Sequence, residues 1–198
     1  LDVSAIEFVH KHKSSIVDQR EVMMDTKSFA RSLQSALRQG TDVVLVGELR
    51  NLETIEATLT LAETGRLVFG TLHTGDAVET VNRIIDVYPH YQQAQVKVQL
   101  SFVLQAVLAQ QLLPKTPGPG RVMAVEVMVV TPAIRYMIRD GKTMQIYSAI
   151  QMGGREGMQT MNAALVELYR KRVVTKQEIL SRTAQVKDLD RLLKIGGV

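Results

Sequence analysis

The most constraining feature of the sequence is a run of four consecutive aliphatic residues, Val43–Val46, which follows Asp42. An uninterrupted aliphatic run of this length predicts a fully buried strand of a parallel sheet. Gly47 then permits a tight turn, and Glu48 emerges at the carboxyl end of the strand, where open α/β sheets bind their ligands. A carboxylate at that place can hold Mg²⁺ or orient a water molecule against a phosphate group.

The first part of the chain alternates between extended and helical patterns. Turn residues such as Gly40 and Gly65 separate the segments. This alternation predicts an α/β fold in which crossover helices connect the strands of a parallel sheet. The predicted elements are short strands at Ile6–Val9 and Ser15–Val17, a helix from Lys27 or Ser28 to Arg38 capped by Asp25 or Thr26, a helix over Leu52–Glu63, a strand over Leu67–Thr71 and a helix over Asp76–Asp86.

The second part of the chain begins with a long helical pattern and ends in several shorter ones. A helix is predicted over Tyr91–Gln111, a loop over Pro114–Gly120 and a strand over Arg121–Val130. The chain is predicted to be helical from there to its end. The predicted helices are Pro132–Asp140, Met144–Gln151, Met158–Lys171, Thr175–Arg182 and Lys187–Leu193.

The change of pattern near Thr131 predicts a domain boundary. An α/β core is predicted for residues 1–131 and a small helical domain for residues 132–198. The first residue, Leu1, is not a methionine, so the sequence is expected to begin inside a larger protein.

The composition excludes several classes of site and partner. The chain contains no cysteine, which excludes disulfides and cysteine-based zinc sites. Its net charge of +4 comes from dispersed basic residues without a Lys/Arg run, so no nucleic-acid partner is predicted. No apolar stretch is long enough to span a bilayer, and direct membrane insertion is not predicted.

Three polar side chains follow three predicted strands. Glu7 lies at the end of the first strand, Glu48 follows the aliphatic run and His73 follows the third strand. Because parallel strands present the same ends at one edge of a sheet, these side chains are expected to converge on a ligand. The alternative is that each of them is a solvated strand terminus.

Four arginines form a second group of candidate residues. The planar guanidinium group donates two hydrogen bonds at once, which suits it to phosphate. Arg31 and Arg38 are seven residues apart and are predicted to share a helix face. The alternative is that they are ordinary residues of the helix surface. The four residues are Arg20, Arg31, Arg38 and Arg50.

The triplet Gly141-Lys142-Thr143 ends like a phosphate-binding loop, whose pattern is G-x-x-x-x-G-K-[ST]. The first glycine of that pattern would fall at Tyr136, and no aliphatic strand precedes the triplet. The triplet is therefore predicted to be a helix-ending turn, and the sequence contains no Walker A motif.

Four segments of the chain are distinctive: Ile6–His10, Val46–Arg50, Thr64–Thr74 and Ala133–Asp140. In this order they resemble the end of the aspartate box, the Walker B motif that ends in Glu, the histidine box and the helical motif of retraction motors. These are motifs of the secretion ATPase superfamily and, within it, of the type IV pilus retraction ATPases. The resemblance extends over nearly the whole chain.

The resemblance implies a RecA-like P-loop NTPase core, of which this chain would carry the part without the P-loop. It implies a hexameric ring that hydrolyses ATP with Mg²⁺ between subunits. Glu7 would be the general base that activates the attacking water, Glu48 would arrange Mg²⁺ and its waters, and His73 would contact the γ-phosphate region. The candidates for charge stabilisation, in the same or a neighbouring subunit, would be Arg20, Arg31, Arg38 and Arg50.

The resemblance also implies a biological role. The motor would power pilus retraction and twitching motility by pilin disassembly at the cytoplasmic face of the inner membrane. It would be peripheral there, reaching the membrane through the pilus platform protein and the pilin machinery. The absence of cysteines favours retraction over extension, because assembly ATPases commonly carry a four-cysteine zinc subdomain. The residues of the retraction motif would be Ala133, Ile134, Arg135, Ile138, Arg139 and Asp140.

The sequence departs from the family pattern in three places. Asp2–Ala5 replaces the usual acidic-Asp-Pro lead of the aspartate box, and Arg66 replaces the first histidine of the histidine box. The P-loop is expected upstream of residue 1. Two alternatives therefore stay open: an inactive fragment that acts only as an interaction module, and a related accessory, pilus-extension or type II secretion ATPase.

Overall fold

The computed structural model describes residues 2–3 and 6–195 of the chain. Within Asp2–Ala5, the residues Ser4 and Ala5 lie outside the described residues. The strands are β1 (Asp2–Val3), β2 (Gln19–Arg20), β3 (Val43–Val46), β4 (Leu67–Gly70), β5 (Ala106–Pro114) and β6 (Arg121–Val129). The helices are α1 (Phe29–Ala36), α2 (Leu52–Glu63), α3 (Ala77–Asp86), α4 (His90–Val103), α5 (Pro132–Arg139), α6 (Ile146–Met152), α7 (Met161–Arg170), α8 (Lys176–Arg182) and α9 (Val186–Ile195).

The chain divides into two compact units. One comprises the residues up to His73 together with Ile84–Val103, and the other comprises Thr74–Arg83 together with the residues from Leu104 onward. The predicted boundary near Thr131 does not coincide with this division, because β5 and β6 belong to the same unit as the helices that follow them. The assignment of residues 1–131 to an α/β core and of residues 132–198 to a helical domain stays a prediction.

The first unit contains a sheet with the strand order β2-β1-β3-β4, in which every strand pairs in parallel with its neighbour. Asp2 lies opposite Gln19 on one side and Leu45 on the other, and Val43 lies opposite Leu67. Parallel pairing requires long crossover connections, and α2 connects β3 to β4 in this way. The predicted parallel sheet is therefore present.

The predicted strands over Ile6–Val9 and Ser15–Val17 are wrong. Neither segment forms a strand, and the short strands β1 and β2 lie just outside them. Their apolar side chains find little to pack against, since Phe8 is 68% exposed and Ile16 is 86% exposed. Apolar residues do not make a strand by themselves, because a strand also needs a neighbour and a surface to pack on.

The strand β3 is buried on one face only, so the prediction of a fully buried strand is wrong. Val44 and Val46 are fully buried and pack with Leu33 of α1 and Leu61 of α2. The intervening side chain of Leu45 points away from this core and is 38% exposed. The helices of the first unit thus cover the face of the sheet that carries Val44 and Val46.

The two helices that cover this face begin at polar caps. Helix α1 begins after Ser28, whose hydroxyl accepts a hydrogen bond from the backbone N–H of Arg31 at 3.2 Å. The predicted caps, Asp25 and Thr26, lie in the preceding turn instead. Helix α2 has the predicted bounds and begins after Asn51, which caps it in the same way. A side-chain acceptor at this position satisfies one of the unpaired N–H groups of the first turn.

The predicted helix over Tyr91–Gln111 is wrong in its second half. Helix α4 ends at Val103, and the chain continues into β5, which pairs antiparallel with β6 along its whole length. Val107, Ala109 and Leu113 are buried with the two-residue period of a strand. The hydrogen bonds that decide this conformation come from β6, which follows a loop further along the chain.

The second unit packs the β5–β6 hairpin against the C-terminal helices. Leu113 and Ala124 of the hairpin share a buried cluster with Leu165 of α7, Ile179 of α8 and Leu189 of α9. All five residues are at most 5% exposed. The hairpin and these helices therefore form one hydrophobic core.

The helices predicted after Thr131 are present with shifted ends. Helix α7 begins at Met161 rather than Met158, because the hydroxyl of Thr160 caps it by accepting from the N–H of Ala163 at 3.2 Å. Among residues 2–3 and 6–195, no helix has both the length and the apolarity needed to cross a membrane.

Candidate functional site

Hydrogen bonds beyond the ends of β3 and β4 hold the backbone in place at the carboxyl edge of the sheet. The N–H of Leu49 donates to the carbonyl of Thr71 at 2.9 Å, and the hydroxyl of Thr71 donates to the carbonyl of Gly47. On the other side, the N–H of Gly47 donates to the carbonyl of Val3 at 2.8 Å. These bonds fix the backbone on both sides of Glu48.

Glu48 and His73 meet at this edge of the sheet. The Oε1 atom of Glu48 lies 3.7 Å from the Nε2 atom of His73, so the two form an ion pair when the imidazole is protonated. Their side chains are 38% and 81% exposed, respectively. Within the described residues, most of the hydrogen-bonding capacity of both side chains is therefore unused.

A close contact between Gly70 and Leu49 supports this arrangement. A Cβ atom added at Gly70 would lie 2.6 Å from Cδ1 and 2.9 Å from Cγ of Leu49, which is closer than carbon atoms pack. The last residue of β4 must therefore be glycine for Leu49 to occupy its place beside Glu48. Sequence reasoning missed this residue, although glycine inside a strand pattern is a signal of close approach.

Glu7 is not brought to the other two predicted residues. It is exposed and lies in an irregular segment after β1. No hydrogen bond or ion pair links it to Glu48 or His73 in the part of the chain that the structure describes. The structure thus brings together two of the three residues that were expected to converge.

Arg20 is already engaged within the first unit. Its guanidinium pairs with the carboxylate of Asp18 at 2.8 Å and donates to the side chain of Gln39, also at 2.8 Å. Its side chain is 21% exposed. These contacts hold β2 against the turn that follows α1.

The other three predicted arginines are exposed. Arg31 lies on α1 and Arg50 precedes the cap of α2. Arg38 lies beyond the end of α1 at Ala36, so the prediction that it shares a helix face with Arg31 is wrong. Within the described residues, no ion pair or hydrogen bond ties any of the three guanidinium groups to another side chain.

Arg66 has a structural role that sequence reasoning missed. Its Nη2 atom donates to the carbonyl of Leu37 at 3.0 Å, and its Nη1 atom donates to the hydroxyl of Thr64 at 2.6 Å. Leu37 is the C-terminal cap of α1, whose last carbonyls lack partners within the helix. Arg66 therefore connects the beginning of β4 to the end of α1.

The predicted retraction motif forms helix α5 in the second unit. Pro132 occupies its first turn, and Thr131 caps it by accepting from the N–H of Ile134 at 3.4 Å. Ile134 and Ile138 are fully buried and anchor the helix. Arg135 donates to the side chain of Gln105 at 3.3 Å. The exposed motif residues are Ala133, Arg139 and Asp140.

An exposed cluster surrounds Tyr136 on this helix. The ammonium group of Lys142 donates to the Tyr136 hydroxyl at 2.8 Å and lies 3.4 Å from the carboxylate of Asp140. The guanidinium of Arg139 lies 5.6 Å from the centre of the Tyr136 ring. The hydrogen bond with Tyr136 and the nearby cations lower the pKa of Asp140. Sequence reasoning missed Tyr136 and Lys142, although their spacing from Arg139 places them within one or two helical turns of it.

The triplet Gly141-Lys142-Thr143 is a helix-ending turn, as predicted. It follows Asp140, the C-terminal cap of α5, and Gly141 has a φ of 70°, which is typical of a residue that ends a helix.

Residues 6–119 match the model of the protein family described as Type II/IV secretion system protein. The chain belongs to this family. The match includes the sheet edge with Glu48 and His73 and ends in the loop after β5.

The sequence of this chain is similar to those of two curated proteins. The type IV pilus retraction ATPase PilT of Pseudomonas aeruginosa is 52% identical over 172 residues, which are 87% of this chain and 50% of that protein. A twitching motility protein of Neisseria gonorrhoeae is 49% identical over 180 residues, which are 91% of this chain and 48% of that protein. The chain thus spans about half the length of the curated relatives it matches.

A solved structure shows the same architecture. The crystal structure of the pilus retraction motor PilT with bound ADP matches this family member with a TM-score of 0.88 and 49% identity. The match covers 96% of this chain and 54% of that chain. The predicted fold class, an α/β core of the RecA-like ATPase type followed by helices, is confirmed.

Proposed function

We propose that this chain is part of a hexameric, ATP-driven motor that powers type IV pilus retraction, and with it twitching motility, by pilin disassembly. The Glu48–His73 pair carries this proposal. It lies at the carboxyl edge of a parallel sheet, where α/β proteins bind their ligands, in a chain 52% identical to a retraction ATPase.

ATP with Mg²⁺ fits the residues at this edge. Proteins usually bind Mg²⁺ through one or two carboxylates, several waters and the phosphates of the substrate. Glu48 offers one exposed carboxylate, and the described residues contain no cluster of three acidic, His or Cys side chains that would ligate a metal directly. Bound Mg²⁺ would neutralise phosphate charge, and Glu48 would accept hydrogen bonds from its waters.

His73 and Glu7 would act on the nucleotide and the water. The exposed imidazole of His73 would contact the γ-phosphate region. The carboxylate of Glu7 would accept a proton from the water whose oxygen attacks the γ-phosphorus, and the bond from that phosphorus to the bridging oxygen would break, with ADP as the leaving group. Strand β1, which precedes the segment carrying Glu7, lies next to β3, which precedes Glu48. This adjacency supports the role proposed for Glu7.

Three of the four arginines would stabilise charge at this site or at that of a neighbouring subunit. Arg31, Arg38 and Arg50 are exposed and keep their donors for phosphate oxygens. Arg20 is the weaker candidate, because Asp18 already neutralises it.

Helix α5 would provide the surface that acts on the pilus machinery. Its buried residues Ile134 and Ile138 hold the helix, while Ala133, Arg139 and Asp140 face outward. We assign this face to contacts with the inner-membrane platform protein and the pilin machinery. The motor would lie in the cytoplasm, peripheral to the inner membrane.

A second candidate function is an interaction module without catalysis. The chain contains no G-x-x-x-x-G-K-[ST] pattern, whose backbone N–H groups cradle the phosphates of ATP. This chain alone is therefore expected not to hydrolyse ATP at a measurable rate. Turnover by the isolated 198-residue chain would contradict that expectation.

The test of the proposed function is ATP hydrolysis by the full-length protein in the presence of Mg²⁺. Glu48→Gln keeps the shape of the side chain but removes its charge, and should lower kcat by about 10²-fold or more. Glu53→Gln is the matched control, since Glu53 is an exposed acid on the next helix. Equal rates for the wild type and Glu48→Gln would refute the role of Glu48.

A genetic experiment separates retraction from the related activities. Deletion of the full-length gene should abolish twitching while pilus filaments remain on the cell surface. Loss of the filaments themselves would instead indicate an extension motor.

A further inference from the structure

Glu126 is an acidic side chain in the middle of the apolar strand β6, and it is 1% exposed. Its Oε1 atom accepts a hydrogen bond from the N–H of Ala77 at 2.8 Å, and its Oε2 atom accepts one from the N–H of Met161 at 3.1 Å. Ala77 is the first residue of α3, and Met161 is the first residue of α7. One buried carboxylate thus joins the N-termini of two helices.

Two opposing effects act on the charge of the Glu126 carboxylate. The first N–H groups of a helix lack partners within the helix and carry its positive partial charge. Burial raises the pKa of Glu126, and the two backbone hydrogen bonds oppose that effect. The charge of Asp76 also raises the pKa of Glu126, and the charge of Glu126 is one of the causes that raise the pKa of Tyr147, after burial and Asp188.

The α7 side of the junction is fixed to β6. Gln159 and Val127 exchange two backbone hydrogen bonds, of 2.8 and 3.0 Å, and the side chain of Gln159 donates to the carbonyl of Val125 at 2.9 Å. These bonds lie on both sides of Glu126 along the strand. The start of α7 therefore has a defined position over this carboxylate.

On the α3 side of the junction lie residues 74–76, which follow His73 in the chain. Asp76 accepts from the N–H of Glu79 at 2.7 Å, and the carboxylate of Glu79 accepts from the N–H of Gly75 at 2.7 Å. The hydroxyls of Thr74 and Thr80 are 2.7 Å apart. Residues 74–76 are thus bound to the first turns of α3 and move with it.

We propose that Glu126 is a positioning residue that ties the N-terminus of α3, and through residues 74–76 the segment ending in His73, to the N-terminus of α7. His73 is followed directly by Thr74, so a shift of α3 displaces the backbone that carries the imidazole. In this arrangement, which rests on the role proposed above for His73, a change at the nucleotide reaches α7 and the helices packed on it through one carboxylate.

The experiment compares the full-length protein with its Glu126→Gln variant. A glutamine side chain has a single acceptor oxygen, so it can pair with the backbone N–H of Ala77 or of Met161 but not with both. The other N–H then faces the NH₂ group of the amide, which donates hydrogen bonds and cannot accept one. Hydrogen exchange at Ala77, Met161 or both should become about tenfold faster or more. Glu156→Gln is the matched control, because Glu156 is exposed, and it should leave both amides protected.

A second measurement distinguishes positioning from a general loss of stability. The NMR signal of the His73 imidazole should shift in Glu126→Gln, while those of His10, His12 and His90 stay in place. In steady-state ATP hydrolysis the variant should lose kcat, by about tenfold, with KM within about twofold of the wild type. A nonspecific structural effect would alter all four histidines or KM as well.

Unchanged exchange at both amides together with an unchanged His73 signal, in a folded Glu126→Gln protein, would overturn the assignment. If that variant does not fold, Glu126→Asp keeps the charge and shortens the reach, and the same two readouts apply to it. An inactive wild-type protein would refute the proposed ATPase function, but the exchange and the His73 signal would still test Glu126.

Discussion

Glu48 in the first unit and Asp188 in the second show two different uses of an acidic side chain. Glu48 is 38% exposed and has His73 at 3.7 Å. Asp188 is 12% exposed and accepts from the Tyr147 hydroxyl at 2.6 Å and from the amide of Gln151 at 2.8 Å. Further donors to Asp188 are Asn162 and Arg191.

The contrast separates a carboxylate whose hydrogen bonds maintain the fold from one that has a single, long contact within the described residues. A polar group whose bonds are all made inside the protein contributes to stability and offers nothing to a ligand. A carboxylate at a sheet edge with one loose partner contributes little to stability and can bind. The second unit is therefore expected to depend on its acidic network for folding, and the first unit to depend on its acidic edge for activity.

The largest effect on stability is expected from Asp188→Ala. It removes several hydrogen bonds to one carboxylate and takes an acceptor away from Tyr147 on α6 and from Asn162 on α7, so the free energy of unfolding should fall by about 3 kcal/mol. Urea denaturation measures this. Asp190→Ala is the control, because Asp190 is exposed on the same helix, and it should change the free energy by less than about 0.5 kcal/mol. If Asp188→Ala and Asp190→Ala changed the unfolding free energy equally, the hydrogen bonds of Asp188 would not stabilise the fold, and its contrast with Glu48 would be refuted.

A smaller effect is expected from Gly70→Ala at the sheet edge. The new methyl group would overlap Leu49 at 2.6 Å, so the variant should lose roughly 1–3 kcal/mol of unfolding free energy. The double variant with Leu49→Ala should recover part of this loss, because it removes the overlapping atoms. Gly154→Ala is the control, since no atom lies within 4 Å of its added Cβ. Additive effects of Gly70→Ala and Leu49→Ala would show that the contact does not position the edge.

A pH dependence should distinguish Asp188 from its amide variant. Burial would raise the pKa of Asp188, but the hydrogen bond from Tyr147 and the neighbouring donors outweigh it and lower the pKa. The stabilisation is then complete above the ordinary aspartate pKa of about 3.9 and is lost as the pH falls through the lowered value of the folded protein. Chemical denaturation at a series of pH values from 7 to 3 measures this. The difference in unfolding free energy between the wild type and Asp188→Asn should become smaller as the pH falls. Glu126, whose pKa is raised, acts in the opposite direction but is present in both proteins.

The smallest effect on stability is expected from Glu48→Gln. The carboxylate is partly exposed and its ion pair with His73 is long, so the unfolding free energy should change by less than about 0.5 kcal/mol. A thermal melt of the same protein sample used for ATP hydrolysis measures both properties. A large loss of stability would mean that Glu48 holds the fold, as Asp188 does.

Local patterns were sufficient for the elements that contain their own signals. The strand β3 has an aliphatic run, and Leu52–Glu63 has a cap at Asn51 and a stop at Thr64-Gly65. The strand β5 has no such local signal, because Ala106–Pro114 is apolar enough for either conformation. Its pairing with β6, along nine residues of each strand, decides between them.

The sequence could predict which side chains meet at the sheet edge where each of them follows a strand. Glu48 and His73 were placed together in this way, and their roles stay a prediction. Glu126 was not, although a single acid among alternating apolar residues of a strand indicates a buried carboxylate that needs partners. Those partners are the backbone N–H groups of Ala77 and Met161, which lie far apart in sequence and which no side-chain pattern reveals.

The exposed ring of Tyr136 gives the α5 surface a practical use. The chain contains no tryptophan, so Tyr136→Trp would introduce the sole indole of this chain at a side-chain position that is now 45% exposed. Indole emission depends on the polarity around it and shifts when a second protein covers it. Fluorescence of this one residue would therefore report, without an attached dye, whether an added protein covers the cluster with Arg139 and Lys142.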